Sequence, residues 1–261
     1  DDDDDDDDGG GGGGGGKSLR MEVEKYPPLK MLAKPAFALR EEKIDPADLP
    51  VINEPQKMFD DLVQRTPAIE QLAEALAGRP LRVATMCSGT ESPLLALEMI
   101  SKACAAAFGA ELPVEHVFSC EIEPYKQAYI ERNFEPPVLF RDIRELSEPL
   151  ATTAYGAKVR VPGADGAGDA CDLLVAGTSC VDYSNLNNNK KGIDEQGESG
   201  QTWRGMMRWV ARCRPPVVIV ENVCGAAWNQ MQLDFEARGY SAGFGRFDAK
   251  EHYIPHTRNR V

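Results

Sequence analysis

Between residues 81 and 223, five short apolar runs with the composition of β-strands alternate with segments of helical pattern. No other feature of the chain constrains its fold as strongly. The runs are LRVATM (81–86), HVFSCE (116–121), VLFRDI (138–143), DLLVAG (172–177) and PVVIVENV (216–223), and PLLALEMISKACAAAF, PYKQAYIERNF and QTWRGMMRWVARCR fall between several of them. A strand joined through a helix to another strand makes a crossover, and crossovers build parallel sheets covered on both faces. The expected fold is therefore α/β, with a doubly wound, mostly parallel sheet of Rossmann-like type. Ligands of such sheets bind beyond the carboxyl ends of the strands, so the residues after each run are the functional candidates.

Upstream of the first run, Met58, Phe59, Leu62, Val63, Ile69, Leu72, Ala73 and Leu76 recur at helical spacing with a break at Thr66-Pro67. This predicts two short helices ending at Gly78. Pro27, Pro28, Pro35, Pro46, Pro50 and Pro55 crowd residues 17 to 55 too densely for long helices and predict an extended lead-in. Residues 1–16 are eight Asp followed by eight Gly, natural or an added scar, and such a tail can bury nothing. The expected organisation is a tail over 1–16, a Pro-rich lead-in with short helices over 17–78, and one larger domain over 79–261.

Composition bounds the function. A chain of 261 residues with 42% hydrophobic content supports one sizeable core. No apolar run approaches the roughly 20 residues of a membrane span, and the opening aspartates are not a signal segment, so a soluble intracellular protein without a membrane partner is expected. The seven cysteines are odd in number and scattered, with no CxxC pair, which predicts reduced thiols and no metal site. The net charge of -13 appears to argue against nucleic acid. Eight of the 42 acidic residues are the opening run, however, and the other 34 stand against 29 basic residues.

Candidate residues gather at the strand ends. MCSGTES, after the first strand, is a small-residue turn leading into a helix whose N-terminus can receive a polar ligand group. Glu121 ends the second strand and Asp142 the third, and carboxylates placed there suit a ligand with ribose hydroxyls and an amino-bearing base. Taken singly, each acid is as readily a helix cap or a solvated loop residue. Cys180 follows the fourth strand in GTSCVDYSN, where Ser179, Asp182 and Ser184 hold a thiol near water, as a reactive cysteine requires. Glu221 follows VVIV, the most apolar run, and is expected to be partly desolvated, as a proton donor at neutral pH requires. The remaining cysteines read as core or loop residues. Trp203, Met206, Met207 and Val210 read as the core face of a helix, with Arg204, Arg208 and Arg212 on its solvated face.

In order along residues 81–261, these segments resemble the motifs of the cytosine-C5 DNA methyltransferase family, which uses S-adenosylmethionine. LRVATMCSGTES looks like the first motif, placing Met86, Cys87, Ser88 and Gly89 at the cofactor. SCEIEPYKQAYIERNF looks like the second, with Glu121 on the ribose beside Ile122. RDI looks like the third, with Asp142 near the adenine amino group beside Ile143. GTSCVDYSN, opened by Gly177, looks like the catalytic loop. SGQTW resembles the fifth motif, with Thr202 near the cofactor; ENV, at 221 to 223, resembles the sixth; IPHTRNRV resembles the eighth, with Arg258 and Arg260. ENV alone would recur by chance, but seven segments in order at workable spacing are specific.

The resemblance implies that Cys180 adds as a thiolate to cytosine C6 and makes C5 nucleophilic toward the methyl group. An unperturbed thiol is only about 3% ionised at pH 7, so Arg258 or Arg260 is expected to stabilise the anion. Glu221 would assist at N3, and the base must leave the duplex stack. Lys190 and Lys191, in the loop after Cys180, are placed for DNA contact. Ser179 replaces the family's catalytic proline, Val181 the following glutamine, Glu91-Ser92 a glycine pair, and His256 a glutamine. The small-residue MCSGTES and the serine before Cys180 suggest a divergent eukaryotic branch, with nuclear localisation in a eukaryote and cytoplasmic otherwise. The family continues past the eighth motif into a target-recognition domain and a last helix, absent from these 261 residues. The helices at 58–77 are expected in that last helix's place. Two other readings remain: a transfer-RNA cytosine methyltransferase with the same catalytic residues, and an inactive binding module that keeps the fold.

Overall fold

A computed structural model describes residues 45–66, 68–76, 78–164, 171–184 and 187–261. The tail and most of the Pro-rich lead-in, expected to be extended, lie outside the described residues. In chain order the elements are α1 (Pro55–Arg65), α2 (Ala68–Leu76), β1 (Leu81–Met86), α3 (Ser92–Phe108), β2 (Val114–Cys120), α4 (Pro124–Phe134), β3 (Leu139–Phe140), β4 (Leu150–Thr152), β5 (Lys158–Arg160), β6 (Leu173–Ala176), α5 (Glu198–Cys213), β7 (Val217–Val220), α6 (Trp228–Glu236), β8 (Phe247–Asp248) and β9 (Asn259–Arg260).

The main sheet has five strands in the order β3-β2-β1-β6-β7, and all its neighbours pair in parallel. The chain steps outward from β1 to β3, then returns across β1 to lay down β6 and β7. That reversal puts the topological switch point between β1 and β6, where an open α/β sheet offers a crevice. Arg79 closes the opposite end of this strand pair. Its guanidinium meets the Asp172 carboxylate at 2.7 and 3.1 Å, and Asp172 also accepts from the Arg82 backbone N–H.

Alternation predicted the elements better than their ends. VLFRDI is extended only at Leu139–Phe140, because the Asp142 carboxylate accepts from the Arg144 N–H at 2.9 Å and caps a short 3-10 turn over Ile143–Glu145. Two helices do form upstream, and α1 buries Val63 against Ala103 and Cys104 of α3. The β4–β5 hairpin and α6 were not apparent in the sequence. The hairpin is held to the turn after β3 by Glu145, which accepts from the Thr152 N–H and hydroxyl.

α5 carries the largest share of the core. Trp203, Met206, Met207, Trp209 and Val210 are buried, and Phe118 of β2 packs edge-on to Phe140 and Trp209 with ring centres 5.6 Å apart in each pair. The expectation of a solvated arginine face holds for Arg208 alone. Arg204 donates to the carbonyls of Ile193 and Glu195, and Arg212 to those of Leu146, Ser147 and Glu148, so both arginines anchor neighbouring loops. No helix of the described residues is long and apolar enough to cross a membrane.

Candidate active site

At the switch point, pairing of Met86 with Ala176 sets Cys87 and Gly177 side by side at the strand ends. A Cβ on residue 177 would lie 3.6 Å from the Cys87 carbonyl oxygen. The turn after β1 takes positive φ at Cys87, Gly89 and Glu91, a left-handed path that only glycine follows without strain. At Glu91, where the sequence departs from a glycine pair, a buried network compensates. Its Oε1 accepts from the Thr85 hydroxyl at 2.8 Å and the Ser119 hydroxyl at 2.5 Å, and burial pushes this carboxyl up from its ordinary range.

A cavity of about 630 Å³ opens over these strand ends. Glu121, only 4% exposed, is oriented by three backbone N–H groups: Gly89 donates to Oε2 at 2.8 Å, and Ile122 and Glu123 each donate to Oε1 at 3.0 Å. A carboxylate offers about four lone-pair sites, so one acceptor position remains for a ligand hydroxyl. Asp142 is clamped by the Arg144 side chain, and Arg144 reaches on to Gln201 Oε1 at 3.1 Å. Burial opposes ionisation of Asp142, but the Arg144 hydrogen bonds outweigh it and hold the carboxyl below its usual range. Gly205 allows α5 to approach this turn, since a Cβ there would lie 3.1 Å from the Ile143 carbonyl oxygen.

The Cys180 turn faces the same cavity and is pinned from three directions. Buried Asn222 donates to the Thr178 carbonyl at 2.9 Å and the Thr178 hydroxyl at 3.0 Å. Asp182 and Ser199 form a reciprocal clasp: the Asp182 carboxylate accepts from the Ser199 N–H at 2.7 Å, and the Ser199 hydroxyl from the Asp182 N–H at 3.0 Å. Finally, the Ser179 hydroxyl donates to Glu198 at 2.7 Å. Where a proline would stiffen the loop through its ring, Ser179 fixes it through this bond.

Glu221 follows β7, and its Oε1 lies 2.7 Å from Arg260 Nε. The expected desolvation is not found: the Glu221 side chain is 52% exposed. β7 is the sheet's edge strand, with Val217 and Ile219 also about half exposed, so apolar composition there does not mean burial. Arg260 is held in place from behind by its own segment, because Asn222 and Val261 exchange backbone hydrogen bonds at 2.9 and 3.2 Å.

Cys87, Glu121, Ile122, Asp142, Ile143, Gly177, Cys180, Thr202, Glu221, Arg258 and Arg260 all line this cavity. Met86, Ser88 and Gly89 do not. Met86 is fully buried in the core, the Ser88 hydroxyl turns back to Thr85, and Gly89 bears on the cavity only through the N–H it gives to Glu121. Lys126, Arg144, Glu198, Gln201 and Asn222 also line it. Sequence reasoning passed over all five. Arg144, two residues after Asp142, and Asn222, directly after Glu221, were the two it could have found.

A switch-point cavity with carboxylates at successive strand ends of an open parallel sheet is that of the Rossmann-like α/β class, to which methyltransferases of this type belong. The family within that class follows from comparison. Residues 81–261 match the model of the C-5 cytosine-specific DNA methylases, and the chain belongs to that family. It is 60% identical over 214 residues to a protein of Cryptococcus neoformans var. grubii named DNA (cytosine-5-)-methyltransferase DMT5, covering 82% of this chain. It is 34% identical over 229 residues to the protein of the same name from Verticillium dahliae, covering 68% of this chain. Over 98 residues, 35% of this chain and 25% of the relative, it is 31% identical to the type II methyltransferase M.NgoFVII of Neisseria gonorrhoeae. The chain spans only 9% of the length of each DMT5 relative.

Proposed function

We propose that this domain transfers a methyl group from S-adenosylmethionine to C5 of cytosine in DNA, through a covalent bond between Cys180 and C6. The carrying observation is convergence: Cys180, the Glu221–Arg260 pair, Glu121 and Asp142 line one cavity. Its volume of about 630 Å³ lies within the range of small-molecule sites. The donor set fits the cofactor, with one acceptor position left on Glu121 for ribose and Asp142 beside it for the adenine amino group. When bound, S-adenosylmethionine supplies an electrophilic methyl group.

Cys180 Sγ, as thiolate, adds to C6 of a base turned out of the duplex. With Arg260 engaged by Glu221, Arg258 is the cation assigned to the thiolate. Glu221 stands where electron density moves on addition and donates at N3. Arg260 orients it through their 2.7 Å contact. Acid assistance of this kind contributes roughly 10² to 10⁴ in rate. Once C5 carries the methyl group, its proton passes to water, the C6–S bond breaks with the electron pair returning to Cys180 sulfur, and the N3 proton returns to Glu221, which restores the ring and the thiolate.

Resemblance to proteins named DNA methyltransferases supports DNA as substrate and, for relatives from fungi, the nucleus as location. The test is transfer of labelled methyl groups to duplex DNA and to transfer RNA by the full-length protein. Labelled DNA with Cys180→Ser inactive supports the proposal. Label confined to transfer RNA would favour the RNA enzyme, and no label on either nucleic acid the binding module.

A further inference from the structure

Charge pairing in the cavity leaves one carboxylate near the nucleophile unneutralised. Glu121 lies 3.8 Å from Lys126 Nζ, Asp142 2.6 Å from Arg144, and Glu221 2.7 Å from Arg260. The carboxylate of Glu198, in the first turn of α5, accepts from the Ser179 hydroxyl, and no basic side chain among the described residues pairs with it. Its second carboxylate oxygen has no partner among the described residues, and Glu198 lines the cavity. Ser179 directly precedes Cys180, and the Glu198 charge reaches the Cys87 thiol, which burial chiefly pushes up to about 12. Glu198 thus bears on both the Cys180 loop and the β1 turn from within the cavity that Glu121 and Asp142 also line.

With Arg258 assigned to the Cys180 thiolate, the Glu198 carboxylate has no cation of its own among the described residues until one enters beside it. The methyl group must be delivered close to Cys180, so the positive centre entering that region is the donor's sulfonium. Methyl transfer converts the sulfonium into a neutral thioether, and the attraction disappears with it. Resting on the reading of this cavity as the methyl-donor site, we infer that Glu198 is a specificity-determining residue that favours the charged donor over its neutral product. Ser179 aims the carboxylate, which gives the serine before Cys180 a role that a proline could not fill.

The test is calorimetric binding of S-adenosylmethionine and S-adenosylhomocysteine to the full-length protein and its variants. Glu198→Gln keeps the side chain's size and its bond to Ser179 but removes the charge. It should weaken donor binding about tenfold, the worth of one charge-assisted contact, while product binding changes less than twofold. Glu198→Asp should keep most of the preference. Glu123→Gln removes a cavity-lining charge at the start of α4 and should leave the ratio of the two affinities unchanged. In turnover, Glu198→Gln should become about tenfold more sensitive to product relative to KM for the donor. Equal effects on both ligands, or none on either, would overturn the inference. A parent protein that binds neither ligand would instead refute the reading of the cavity itself, and the inference with it.

Discussion

Replacing Gly197 by alanine should damage the Cys180 loop without touching a group proposed to react. A methyl group at 197 would stand 2.3 Å from Asp182 Oδ2 and 2.7 Å from its Cγ, whereas non-bonded carbon contacts settle near 3.5 Å. Asp182, only 5% exposed, must then shift by about 1 Å. The shift breaks the 2.7 Å bond from the Ser199 N–H and the reciprocal 3.0 Å bond to the Ser199 hydroxyl. A charged hydrogen bond contributes about 1.5–3 kcal/mol and a neutral one about 1, so the loss should be roughly 2–4 kcal/mol. For a domain of this size that is a fall in Tm of roughly 5–15 °C. Displacing a catalytic loop by about 1 Å should also slow covalent trapping of a cytosine analogue about 10²-fold. Gly156→Ala is the matching control. Gly156 has φ +85 but nothing within 4 Å of an added Cβ, so only backbone strain of about 1 kcal/mol is expected, with trapping unchanged. If Gly197→Ala unfolds within 0.5 kcal/mol of the parent and traps at the parental rate, the Asp182–Ser199 clasp does not position Cys180.

Other perturbations separate fold from site. Asp172→Ala leaves Arg79 partly buried without its partner and should cost roughly 3–5 kcal/mol in denaturant unfolding, with no selective effect on cofactor binding. Gly205→Ala pushes α5 off the 143–145 turn and should weaken S-adenosylmethionine several-fold by calorimetry while Cys180 alkylation proceeds as before. Glu91 gives a pH test: burial raises its folded-state value above the unfolded one, so it holds a proton on folding and its contribution to stability falls as pH rises past about 4.3. Glu91→Gln should therefore gain on the parent in unfolding free energy from that pH up to the folded-state value, and a pH-independent difference would refute the protonated assignment.

Strand–helix alternation gave the parallel sheet because each crossover is a local pattern, and the order of acids and thiol along the chain placed them at one sheet edge. Contacts between segments distant in sequence were not legible in the same way. Ser179 reads as a missing proline until Glu198, 19 residues later, supplies its acceptor. Glu91 reads as a missing glycine until Ser119 of β2 accounts for its buried carboxyl. Glu221 misled for a simpler reason: the hydropathy of VVIV says nothing about whether its strand is central or at the edge, and β7 is at the edge.

The central claim is that Cys180 is the nucleophile of a cytosine methyltransferase site. Its most direct test is incubation of the full-length protein with S-adenosylmethionine and duplex DNA carrying 5-fluorocytosine, from which the C5 substituent cannot be eliminated. Mass spectrometry of the digested complex should find the methylated base bonded to the peptide containing Cys180, and no adduct with Cys180→Ser. An adduct on Cys87 or Cys224, or none from a parent protein shown to bind the cofactor, would contradict the account.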